Sequence, residues 1–157
     1  LNFLRDPHAC PKYLWRFPQW VLSHSRSLTE RLPDDYTLEM YARWHDVGKA
    51  SCRTVGEDGR THYPDHARVS AKVFRELFPE EEAVAKLIEM DMDLHVLAGD
   101  KVEEFCKRPE AVALLLTALA EVHSNAALFG GTNTDSFKIK WKKLDKRGAA
   151  ICRLLFG

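Results

Sequence analysis

Net charge is the first thing missing. The 157-residue chain sets 23 Lys plus Arg against 23 Asp plus Glu, so no global field draws it to nucleic acid or to an anionic membrane. Any such attraction has to come from a local patch. Close cysteine pairs are missing too. Cys10, Cys52, Cys106 and Cys152 form no CxxC motif, which argues against a structural zinc knuckle. Their wide spacing is expected of reduced thiols in a cytoplasmic protein. Long apolar runs are also absent. The longest, Ala111 to Leu116, reaches only Ala120 if Thr117 is admitted, short of the roughly 18 residues of a membrane span, so no membrane partner is expected. No charged-then-apolar leader opens the sequence, and the first residue is Leu1 rather than Met, as expected of a trimmed chain or an excised fragment. There is no internal repeat and no low-complexity segment.

What is there suffices for a core. A hydrophobic fraction of 45% over 157 residues is expected of one domain spanning 1–157. Residues 1–17 read as an N-terminal arm with short helical pieces, and 136–157 as a basic C-terminal segment. Pro18 suits the first turn of a helix to about Leu32, which Pro33-Asp34-Asp35 breaks. Thr37 is placed to cap a helix from Leu38 to Val47, with Gly48 as its stop. The stretch "CRTVGEDGRTHY" reads as a small hairpin or ordered loop. Asp65 is placed to cap a helix from His66 to Phe78. Pro79 starts another to about Leu97, with Gly99 ending it. A short helix follows at 101–107, then a long apolar one from Pro109 to about Phe129. In the tail "FKIKW" alternates like a strand, whereas "AAICRLL" looks helical. The fold class is all-α with one small hairpin or loop insertion.

The histidines are the unusual content. Neighbours three and four apart share a helix face, and by that rule His24 lines up with Trp20, Leu28 and Leu32. His45 continues Leu38, Tyr41 and Ala42, with Asp46 beside it. His66 precedes Val69, Val73 and Leu77. Asp91 follows Val84, Leu87 and Ile88, and His95 stands four beyond it. His123 continues Leu116, Leu119 and Ala120. For any one of these a satisfied core histidine is the ordinary explanation. Five helices each placing a histidine, or a histidine and an acid, on the face they should bury suggest a shared ion, because one metal satisfies several such groups together. Asp93 shares a face with Lys86 and Glu89 and reads as a solvated acid. His8 has no periodic context. His62, in the hairpin near the candidate site, is either a surface residue or a contact to the ligands or to the substrate. Adjacent helical residues point about 100° apart, so His45 and Asp46 can approach an ion from different sides.

The quoted stretch "WHDVGKASCRTVGEDGRTHYPDHARVSAKVF" resembles the HD superfamily of metal-dependent phosphohydrolases, and within it the HD modules of CCA-adding tRNA nucleotidyltransferases and poly(A)-polymerase relatives. The similarity covers residues 24 to 78, about a third of the chain. It implies a compact HD-domain helical bundle. It places the first ligand at His24, the doublet at His45 and Asp46, and a second-metal histidine at His66, with Asp91 and His95 on the helix that often supplies another. The family closes its site with a late aspartate, where "LAEVHSNAA" offers His123. Either His123 or Asp91 takes that place, or catalysis has been lost. No nucleotidyltransferase segment precedes the module in this sequence, so tRNA tailing is not implied.

The expectation is a phosphohydrolase with one or two divalent transition-metal ions, Mn, Fe, Zn, Co or Ni. Such an ion lowers the pKa of its water from about 16 toward about 7 and supplies hydroxide for in-line attack on phosphorus. Asp46 and Lys49 are the candidate catalytic residues. Lys49, Arg53, His62, Lys138 and Lys140 are the candidate substrate contacts, with Arg60 a further cation on the loop. The basic run "FKIKWKKLDKR", with Trp141 inside it, is either a solvated face or a grip on a phosphate chain or nucleic-acid strand. The expected substrate is a phosphorylated small molecule or a nucleic-acid end. Two rivals remain: a non-catalytic metal- or RNA-binding HD module of a larger RNA-processing or repair system, and a purely structural helical domain.

Overall fold

Pro33 opens one compact unit and Val96 closes it. The computed structural model describes residues 15–128 and 130–157, so most of the expected N-terminal arm, with His8 and Cys10, lies outside the described residues. The chain forms a continuous unit, Pro33–Val96, and a discontinuous unit made of Leu1–Leu32 with Leu97–Gly157. Both are helical, and a single two-stranded hairpin is the only sheet among the described residues. The all-α fold class is as expected.

In the discontinuous unit α1 spans Gln19–Glu30. The corresponding elements of the continuous unit are α2 (Asp35–Trp44), α3 (Lys49–Cys52), β1 (Thr54–Val55), β2 (Thr61–His62), α4 (His66–Leu77), α5 (Glu82–Glu89) and α6 (Asp93–Val96). The chain then forms a 3₁₀ turn at Gly99–Lys101, α7 (Val102–Cys106), α8 (Ala111–Leu128) and α9 (Asp135–Phe156).

The continuous unit is built on α5, which packs against α2 and α4, while α3 rests on α4. Helix α2 starts one turn earlier than expected. Asp34, not Thr37, is its cap: its carboxylate accepts the Thr37 N–H at 3.0 Å and the Thr37 hydroxyl at 2.7 Å. That double acceptance holds the Asp34 carboxyl below its ordinary pKa. The buried face of α4 is Ala67, Ser70, Ala71 and Phe74, one position round from the expected stripe, and Leu77 is exposed. The small residues allow Gly48 to sit against the α4 backbone, where a Cβ on it would stand 2.4 Å from Ser70 N. Gly48 has φ −76°, so a close approach rather than a left-handed turn demands glycine there.

The expected helix from Pro79 to Leu97 is broken. Tight turns at Asp91 N–Ile88 O (3.2 Å) and Asp93 N–Met90 O (2.9 Å) separate α5 from α6. The break lets the buried Asp91 carboxylate accept a short hydrogen bond from the Tyr41 hydroxyl.

In the discontinuous unit α9 packs against α1, α7 and α8. The strand reading of "FKIKW" is overturned, for those residues lie in the first turns of the 22-residue α9. Phe137, Leu144 and Ile151 are buried at a seven-residue spacing, whereas Ile139 is 70% exposed. Helical periodicity over the full segment outweighs a five-residue alternation. Helix α8, of 18 residues, passes by length and composition alone as membrane-crossing, but 61% of it is buried, as in a core helix. Gly148 lets α9 approach α1, since a Cβ there would stand 2.3 Å from the Trp20 ring.

Candidate metal centre

Helix α2 ends at Trp44, so the doublet is not on a continuing helix: His45 is the C-cap, and Asp46 and Val47 make the turn into α3. The turn is closed by Val47 N–H to Trp44 O at 3.1 Å and Lys49 N–H to Asp46 O at 3.0 Å. It is pinned to α4 by the Gly48 N–H, which donates to Ser70 Oγ at 2.9 Å. This buried bond brings the start of α4, and with it His66, to the doublet.

The result is a cluster around one carboxylate. His45 Nε2 lies 3.5 Å from Asp46 Oδ2, and His66 Nε2 lies 3.8 Å from Asp46 Oδ1. Each ring uses its other nitrogen on the backbone. His45 Nδ1 bonds Ala42 O at 2.9 Å, and His66 Nδ1 bonds Tyr63 O at 3.3 Å. A bond to a carbonyl requires the proton on Nδ1, which leaves the Nε2 lone pair turned toward Asp46 when the ring is neutral. Lys49 Nζ takes Asp46 Oδ2 at 2.7 Å, and the same ammonium lies 5.6 Å from the Tyr63 ring centroid. The Asp46 side chain is 40% exposed, so the cluster is open to solutes.

Just before His66 the backbone is strained. Asp65 has φ 55°, the only non-glycine with positive φ among the described residues. Aspartate tolerates that region better than most residues. Asp65 stands at the cap position of α4 but its side chain makes no cap bond; its carboxylate accepts from Arg68 Nε instead. The left-handed residue turns the chain abruptly from the hairpin into α4, which sets His66 at the helix's first position.

Of the rest of the expected seven-residue ligand set, Asp91 and His95 lie in the continuous unit, and His24 and His123 in the discontinuous one. Among the described residues no three or more His, Cys, Asp or Glu side chains already form a coordination-ready group. Even the His45, Asp46 and His66 trio is loose. Donors at about 2.0–2.2 Å from one tetrahedral ion stand roughly 3.3–3.6 Å apart, which the 3.5 Å contact meets and the 3.8 Å contact exceeds. In chemistry the donors do fit: two imidazoles and a carboxylate suit a borderline transition metal, and three protein donors leave a position for water or substrate.

His123 leaves the ligand set. It is buried on α8, its Nδ1 donates to Leu119 O at 2.7 Å, and its Nε2 accepts the Arg16 N–H at 2.9 Å. Its ring stacks on Trp15 at 4.6 Å between centroids. Both nitrogens are used, so no lone pair remains for an ion. Burial pushes its pKa down. The ordinary explanation, a satisfied core histidine, holds here.

His24 lies in the discontinuous unit, where α1 kinks at its non-helical φ of −123°. Its ring stacks on Phe156 at 5.3 Å. Asp91 is held by Tyr41 as described, and His95 is half-buried on α6. Arg53 is exposed just beyond α3, and His62 is exposed on β2 with Nε2 3.6 Å from Asp58 Oδ1. Arg60 also turns to Asp58, at 3.7 Å. Lys138 and Lys140 are exposed on α9 in the discontinuous unit, with Lys138 4.0 Å from Asp135.

Sequence reasoning missed Tyr41 as the donor to Asp91, Ser70 as the anchor of the Gly48 turn, and Tyr63 as the carbonyl holding His66. A signal existed for Ser70, a small polar residue inside an otherwise apolar helix face. No protein-family model matches the chain, and neither does any curated protein or solved structure.

Proposed function

We propose that the chain is an HD-type metal-dependent phosphohydrolase acting on a phosphate ester of a nucleotide or a nucleic-acid end. The observation that carries this reading is the pair of imidazoles from residues 45 and 66, each turned by a backbone carbonyl so that Nε2 faces the Asp46 carboxylate. The motif that resembles the HD superfamily falls on those same residues.

A divalent ion held by His45, Asp46 and His66 would supply a Lewis acid for a phosphoryl oxygen and an acidified water. The chain's own part is positional. The Nδ1 bonds fix both rings, and the Gly48–Ser70 contact fixes their separation. Lys49, beside the carboxylate, offers an ammonium to the phosphoryl oxygens as negative charge develops on them. The exposed Arg53 adds a second charge at the same end of the hairpin.

A second reading, a non-catalytic metal- or RNA-binding HD module, is favoured by one feature: His123, on the helix where the family carries its closing acid, has both nitrogens engaged. Elemental analysis of the purified protein and turnover on a panel of phosphate mono- and diesters, each with wild type and Asp46→Ala, decides between them. The expected result is bound transition metal and turnover in the wild type, both lost in the variant. Metal without turnover on any ester supports the binding module. Wild-type turnover by Asp46→Ala refutes the assignment.

A further inference from the structure

With the tail folded as one helix, its basic residues acquire a face. Lys143, Lys146, Arg147, Ala150, Arg153 and Leu154 follow the helical three-and-four spacing and line one side of a cleft of about 550 Å³. The other side is the segment from Leu97 through the 3₁₀ turn to Glu103. The cleft lies wholly within the discontinuous unit. Its volume falls in the roughly 300–1,000 Å³ range of small-molecule sites.

Its lining is two-natured. Leu97, Val102, Ala150 and Leu154 supply aliphatic wall, and Leu154 is 53% exposed there. Four cations stand against two acids, Asp100 and Glu103, and Glu103 is drawn toward Lys107 at 3.9 Å. Arg147 is anchored, its Nη2 donating to Leu97 O at 2.9 Å, and burial pushes its pKa down. The side chains of Lys143, Lys146 and Arg153 make no hydrogen bond or ion pair among the described residues. Unpaired cations set along an aliphatic wall leave a cationic excess that an anion would neutralise.

The spacing selects among anions. From residue 143 to residue 153 the helix rises about 15 Å, at about 1.5 Å per residue. A lone phosphate meets one or two of these charges, whereas an elongated molecule with phosphates at one end and an apolar body at the other meets charges and wall together. We propose that this cleft binds a nucleoside polyphosphate, its base against Leu97, Val102 and Leu154 with Arg153 beside it, and its phosphates on Lys143 and Lys146. The site uses none of His45, Asp46 or His66 and does not rest on the phosphohydrolase reading.

Calorimetric titration of the full chain in EDTA at low salt, with ADP, adenosine and inorganic pyrophosphate as separate probes, tests it. EDTA removes any contribution from an ion-loaded His45–Asp46–His66 cluster. ADP should bind more tightly than either part alone, and added salt should weaken it. The Lys143→Glu/Arg153→Glu pair should weaken ADP by about tenfold or more, and Asp46→Asn should leave it unchanged. The single Lys146→Ala, on an exposed position that the fold does not use, should give a smaller loss and guards against misfolding of the double variant. Three outcomes overturn the proposal: ADP no tighter than pyrophosphate, affinity indifferent to the charge reversals, or binding abolished by Asp46→Asn.

Discussion

Lys49 Nζ stands 2.7 Å from Asp46 Oδ2, the same oxygen that faces His45 Nε2 at 3.5 Å. An ammonium and a divalent cation cannot share that oxygen without strong repulsion. On the proposed function, loading an ion would require Lys49 to swing away, and the released charge would then be available to a substrate. Lys49→Met removes the competitor. Its affinity for Mn²⁺ or Zn²⁺, measured by titration, should rise by about tenfold, while turnover on the best phosphate ester falls. A weaker affinity in the variant would mean that Lys49 serves to hold Asp46 in place.

Gly48 is a packing residue. A methyl group there would lie 2.4 Å from Ser70 N and 2.8 Å from Val69 C, both backbone atoms that cannot swing aside. Gly48→Ala should destabilise the chain by about 1–3 kcal/mol, the usual cost of overpacking, measured by urea denaturation. Gly99→Ala is the control, because a Cβ there meets nothing within 4 Å, and it should change stability by less than about 0.5 kcal/mol. Equal effects at the two positions would rule out the close approach.

Stability should fall on mild acidification because of His123. Its native pKa lies below the ordinary 6.5 because it is buried. As pH falls through that ordinary value the unfolded chain takes up a proton that the native chain refuses. Stability is therefore full above the unfolded pKa, and it is lost progressively down to the native pKa. The slope from this one group is at most about 1.4 kcal/mol per pH unit. Protonation also puts a hydrogen on Nε2 where the Arg16 N–H donates. Denaturation at pH 7.5 and 5.5 should show a steeper loss for the wild type than for His123→Gln. Identical pH dependence in the two would refute the assignment.

Much of the helical framework was legible in the sequence, because long periodic segments and proline or glycine boundaries act locally. The expected elements at 66–78, 101–107 and 109–129 correspond to α4, α7 and α8 within a few residues. What was not legible depended on partners far along the chain. The break after Met90 exists where Asp91 meets Tyr41, 50 residues away in sequence. The engagement of His123 depends on Arg16, and a stripe of apolar neighbours looks the same whether its histidine binds an ion or a backbone amide. "FKIKW" misled because five residues cannot distinguish a strand from the exposed start of a long helix. At the candidate centre, the His45-Asp46 doublet and His66 could be read from the sequence. The carbonyls that turn both rings, and the ammonium already on Asp46, could not.

The hairpin between Arg53 and Tyr63 offers no buried side chain to the unit, and its tip at Glu57–Gly59 is open to water. The distance between residues 45 and 66 is set instead by the Gly48–Ser70 seam beneath it. Loop length and cluster geometry are thus uncoupled, so the tip is free to lengthen, shorten or carry grafted sequence without disturbing the histidine–carboxylate cluster below. Divergence among descendants of this chain should concentrate there.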